Sequence, residues 1–73
     1  MENEHALTIW RNSQNPVVTQ EALGEALGIS RWWVNRLETG ERKPSFDLAM
    51  KIETITGGKV TAKDFVRQRE MAQ

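Results

Sequence analysis

Apolar residues recur at helical spacing along the whole chain, and nothing alternates with period two for long enough to make a strand. Leu7 and Trp10, three apart, share one face of a helix predicted over residues 4–13. The polar run "NSQNP" breaks that helix at Asn15 and Pro16, because the residue before a proline is driven out of helical geometry. Ala22, Leu23, Ala26 and Leu27 form the inner stripe of a second helix over 20–27, and Val34 and Leu37 mark the inner face of a third over 31–39. A fourth helix runs from Ser45 to about Thr56, with Phe46, Leu48, Ala49, Ile52 and Ile55 as its apolar positions. A short fifth follows Thr61. The pattern predicts an all-α, compact five-helix fold.

The boundaries obey one grammar. Thr19, Ser30 and Thr61 are N-cap residues, whose side-chain oxygens satisfy free N–H groups of a first helical turn. An apolar residue precedes each cap and meets another five positions on: Val18 with Leu23, Ile29 with Val34, Val60 with Phe65. Such a hydrophobic staple fixes the angle at which the chain enters a helix. Asp64, three residues after Thr61, completes a capping box. Gly28 and Gly40 close the second and third helices, since glycine enters the left-handed region without a Cβ penalty. Gly57 and Gly58 stop the fourth. The tail "RQREMAQ" is expected to fray, residues 69–73 above all.

Composition narrows the reading to a single small domain over 1–73. There is no cysteine, so disulfides and thiolate metal sites are excluded and a cytoplasmic location is expected. The opening "MENEHALTIWRN" has neither the basic start of a signal peptide nor an apolar run long enough to span a membrane. His5, the lone histidine, makes no metal site and reads as a solvated residue near a helix start. With one histidine, no tyrosine and no glycine-rich phosphate loop, the chain is read as no enzyme and needs no cofactor.

The net charge is zero, but its distribution is uneven. Residues 1–27 set Arg11 against Glu2, Glu4, Glu21 and Glu25. Residues 28–44 set Arg31, Arg36, Arg42 and Lys43 against Glu38 and Glu41. The positive charge therefore collects around the third predicted helix. Its outward face carries Arg31, Trp32, Asn35 and Arg36 if Val34 and Leu37 point inward. Arginine and asparagine are the side chains that match guanine and adenine edges in the major groove. The adjacent Trp32 and Trp33 diverge by roughly 100° on a helix, so Trp33 is expected half-packed against the end of the first or second helix and Trp32 exposed. Trp10 is expected in the core.

Helix 20–27, a tight turn at Gly28, Ile29 and Ser30, and helix 31–39 form a helix–turn–helix signature. Small residues at Ala22 and Gly24 allow the close crossing. The stretch "TQEALGEALGISRWWVNRLETGERKPS" resembles the core of the λ-repressor/Cro-like family. Its Thr-Gln-Glu opening, Gly-Ile-Ser turn, and Val-Asn-Arg-Leu-Glu-Thr-Gly run followed by a basic residue and proline all fit that pattern. "IETITGGKVTAKDF" is similar to the C-terminal segment of some phage-type members. The resemblance implies that Arg31, Trp32, Asn35 and Arg36 contact bases, while Gln20, Trp33, Arg42 and Lys43 contact phosphates. It also implies a pair between Glu38 and an arginine of the first helix, here Arg11. Two departures stand out. The loop "NSQNPVV" is about two residues longer than usual, and Trp32 replaces a small or polar residue, which suits an apolar contact with a thymine methyl or a sugar.

The implied function is a sequence-specific, double-stranded DNA-binding regulator, dimeric on a palindromic operator. Two others stay open: the antitoxin of a toxin–antitoxin pair, and a protein-interaction module that has lost DNA binding. A homodimer would draw its interface from the C-terminal half, where Ile55, Val60, Phe65 and Val66 are apolar; the staple commits Phe65 with Val60, so Val66 and Met71 are the freer candidates.

Overall fold

A computed structural model describes residues 4–66. The described residues form four α-helices and one 3₁₀ turn: α1 (Ala6–Ser13), α2 (Gln20–Leu27), α3 (Arg31–Thr39), α4 (Phe46–Ile55) and the turn Ala62–Phe65. The fifth predicted helix is thus a single 3₁₀ turn. That turn closes when the Asp64 carboxylate accepts from the Thr61 N–H at 2.8 Å. The expected fraying of the tail, and Met71, lie outside the described residues.

Side-chain caps form at α2 and α3 as predicted, and also at α4. Thr19, Ser30 and Ser45 accept from the backbone N–H of Ala22, Trp33 and Leu48 at 3.0, 3.1 and 3.2 Å. Leu7, Leu23, Leu27, Val34, Leu37, Leu48, Ile52, Val60 and Phe65 make one buried cluster, with Val18, Ile29, Trp10 and Trp33 packed on its rim. Trp10 is therefore half-buried, short of the full core position expected of it. Ala22 and Ala26 are exposed, so the inner stripe of α2 reduces to Leu23 and Leu27. Phe46 stands 77 % exposed and Ile55 38 %. Both sit at the ends of α4, beyond the stretch that Leu48, Ala49 and Ile52 press into the cluster.

Two residues matter more than their sequence suggests. Thr56, 3 % exposed, donates to the Ile52 carbonyl at 2.8 Å and accepts from the Val60 N–H at 3.1 Å, pinning the chain after α4. His5 is half-buried rather than solvated. Its ring lies 4.7 Å from that of Phe65, and its Nδ1 caps α1 by accepting from the Leu7 N–H at 3.0 Å. The neutral ring must then carry its proton on Nε2, which is buried and has no hydrogen-bond partner among the described residues.

At Gly24 the fold depends on a missing side chain. A Cβ there would stand 2.6 Å from the Ile29 carbonyl oxygen and 3.3 Å from the Ser30 backbone. The turn, not the body of α3, is what approaches α2 so closely. The same segment is tied by a bond from the Ile29 N–H to the Gly24 carbonyl at 2.8 Å.

Gly24→Ala is expected to destabilise. The helix-propensity gain of about 1 kcal/mol is outweighed by overpacking of about 1–3 kcal/mol. The urea midpoint is the measurement, and a raised midpoint would show that the turn yields. A second prediction concerns acid. Burial lowers the His5 pKa against the opposing pull of Asp64 and Glu38. The unfolded chain binds the proton more readily, so the contribution of His5 is complete above the ordinary value of 6.5 and is lost as pH falls below it. His5→Asn keeps a capping side chain and removes the titration. Its urea midpoint should change less between about pH 7.5 and 5.5 than that of the parent protein.

Candidate nucleic-acid interface

The buried pair Val34 and Leu37 fixes the rotation of α3 and so decides which residues face outward. Arg31 and Trp32 are exposed, Trp32 by 49 %, and Asn35 and Arg36 are partly exposed. The outward face predicted for the third helix is therefore present. Trp33 turns the other way and lines a groove with Leu27 and Ile29 at the end of α2 and Ser45 and Leu48 at the start of α4.

The two indoles do more than part company. Their ring centroids lie 5.5 Å apart at 43°. The Arg36 guanidinium lies over Trp32 at 4.9 Å, and the Arg42 guanidinium over Trp33 at 5.6 Å. A cation over an indole face is attracted by the ring quadrupole. The aromatic pair thus seats one arginine of α3 and one of the following loop side by side. The Trp32–Arg36 contact follows from i, i+4 spacing. The Trp33–Arg42 contact depends on the chain reversal at Gly40, whose φ is 84°. That reversal brings the N–H groups of Glu41 and Arg42 back to the Arg36 carbonyl at 3.0 and 3.2 Å.

Glu41 enters the same cluster, and sequence reasoning missed it. Its carboxylate pairs with Arg36 Nη1, and its Oε1 lies 3.1 Å from the Thr39 hydroxyl. Hydrogen bonds from Arg36 and Thr39 hold the Glu41 carboxyl below the usual carboxylate range.

Beneath this face lies the anchor that positions it. Arg11 of α1 sends Nε and Nη2 to the two carboxylate oxygens of Glu38 at 2.6 and 2.9 Å, and Nη1 to the Val18 carbonyl at 3.0 Å. Gln20 donates to Glu38 Oε1 at 3.0 Å. Burial pushes the Glu38 carboxyl up, but hydrogen bonds from Arg11, Gln20 and Thr8 outweigh it and leave it below its ordinary value. The pair that the resemblance implies is present despite the longer loop. Gln20 directs an amide hydrogen inward to this anchor. It also lines an open cleft with Arg11, Val17, Thr19, Glu21 and Arg31, where the starts of α2 and α3 come together. Arg42 and Lys43 are exposed in the loop before α4.

Among the described residues no helix is long and apolar enough to cross a membrane, and no cluster of potential ligands is suited to a metal ion. A family model described as helix–turn–helix matches residues 18–62, which is more than half of the chain. No curated protein and no solved structure matches it.

The side chains of Arg11 and Glu38 are only 10 % and 5 % exposed. Removing one partner of so sheltered a pair costs about 3–5 kcal/mol, because a charge is left buried and uncompensated. Arg11→Met and Glu38→Leu should each lower the thermal midpoint sharply. The double variant should recover much of the loss. A double variant as unstable as the sum of the singles would show that the two charges act independently.

Proposed function

The chain belongs to the helix–turn–helix family of the λ-repressor/Cro type, and we propose that it is a sequence-specific transcriptional regulator that reads a palindromic operator. The observation that carries this reading is the cation-and-indole face of α3, set opposite the buried Val34–Leu37 seam. Helix α3 enters the major groove with its N-terminal residues foremost. Arg31, Asn35 and Arg36 donate to base edges, and Trp32 presses on a thymine methyl or a sugar. Gln20, Arg42 and Lys43 grip phosphates and set the register. Trp33 supports Arg42 from below and borders the backbone. The protein acts in the cytoplasm, without a cofactor.

One such helix covers only a few base pairs, too few for a useful site in a genome. A two-fold homodimer would place two copies about 34 Å apart, one turn of the duplex. The candidate interface excludes the stapled pair. Val60 and Phe65 belong to the core, while Ile55 and Val66 remain exposed at 38 % and 40 %.

Binding to the region upstream of its own gene is expected to weaken steeply with salt, because each phosphate contact releases condensed counterions. Arg31→Ala and Arg36→Ala should each lose about 1–3 kcal/mol of discrimination between operator and random duplex. Arg42→Ala and Lys43→Ala should weaken both alike and reduce the salt slope by about 1. Electrophoretic or fluorescence titrations at two salt concentrations measure all of these. Absence of binding at low salt would remove the DNA-regulator reading, and one protomer per operator would remove the dimer.

A further inference from the structure

We propose that Glu41 is a specificity-determining residue, which fits Arg36 to neutral base edges and turns it away from phosphates. The inference rests on the DNA-binding reading above and concerns how that face discriminates. Glu41 follows the left-handed Gly40 directly, and its N–H is tied to the Arg36 carbonyl at 3.0 Å. The Thr39 hydroxyl lies 3.1 Å from Oε1, the same carboxylate oxygen that Arg36 contacts. The carboxylate is therefore placed by the backbone before any ligand arrives, and it takes the Nη1 end of the Arg36 guanidinium. Trp32 covers the guanidinium, with its ring centroid 4.9 Å from Cζ.

A guanidinium has five N–H donors in a rigid fork. With Nη1 engaged, Arg36 keeps donors for a second partner, but its charge is already balanced locally. For a guanine edge this costs little, because O6 and N7 are neutral acceptors. A phosphate, in contrast, gains little from a neutralised arginine and meets the Glu41 charge beside it. An arginine free of Glu41 would seize any phosphate within reach and hold the protein on random sequence. The chain carries four cations between residues 31 and 43. Glu41 assigns one of them to reading rather than gripping.

The test compares the parent protein with Glu41→Gln on two duplexes of equal length, the operator within the region upstream of its own gene and a random sequence. Glu41 lies in an exposed ion pair, which adds little to stability, so melting by circular dichroism should change little and confirms the fold of the variant. Glu41→Gln is expected to tighten binding to random duplex by about 3–10-fold and to the operator by clearly less, so the ratio of the two affinities falls. The salt slope on random duplex should steepen by about 1, the signature of one added phosphate contact. In an Arg36→Ala background the same substitution should shift both affinities by one factor, since only its charge remains to act. An equal shift on both duplexes in the parent background would overturn the proposal and leave the DNA-binding reading intact. Failure of the parent protein to bind either duplex at low salt would overturn that reading, and the role of Glu41 with it.

Discussion

The architecture turns on the contact between Arg11 and Glu38. One planar guanidinium meets both carboxylate oxygens, the carbonyl before α2 closes the third edge, and Gln20 occupies the remaining side of the carboxylate. Three helices and a loop are thereby referenced to one point. Nonpolar packing is tolerant of rotation, whereas a bidentate charged pair in a sheltered site is not. The core built on Leu7, Leu23, Leu27, Val34 and Leu37 supplies cohesion. The Arg11–Glu38 pair supplies orientation, and the face of α3 inherits it.

A second constraint acts through space left empty. Gly24 lets the Ile29 carbonyl approach α2, and the turn leaves α2 with Gly28 in the left-handed region. The angle between α2 and α3 follows from these two glycines and from Leu23, Leu27 and Val34 filling the wedge between the helices. The outward side chains need only be the ones left over once that wedge is packed. Structure and recognition thus divide α3 lengthwise, with little overlap between the residues that serve each.

Much of this was legible in the sequence because it is written in local terms. Caps, staples and helix-closing glycines depend on residues a few positions apart, and so do the inward turn of Val34 and the outward turn of Trp32. What escaped depends on distant or chain-reversing contacts. Nothing near His5 announces that Phe65, sixty residues on, covers its ring, so a capping side chain reads as a solvated one. Thr56 looks like a helix end and is instead a buried strut for the next segment. The staple of Val60 with Phe65 is written in the sequence, but that the pair joins the core cluster is decided by the packing. Ala22 and Ala26 fit a helical stripe, yet a small residue leaves no mark on where that stripe ends. Glu41 balances a charge in the sequence. Its contact with Arg36 requires the reversal at Gly40, which the sequence signals, and the direction of that reversal, which it does not.

The paired indoles have a consequence for the entropy of recognition. A long cationic side chain free in solvent samples many rotamers, and immobilising one forfeits up to about 2 kcal/mol. Arg36 and Arg42 already rest on Trp32 and Trp33, and the indoles rest on each other. Most of that ordering is completed during folding instead of at the encounter with a ligand. Such a surface meets its target as a stamp rather than a glove. It gains affinity by what it no longer has to lose, and it has correspondingly little freedom to remould itself around a site of different shape.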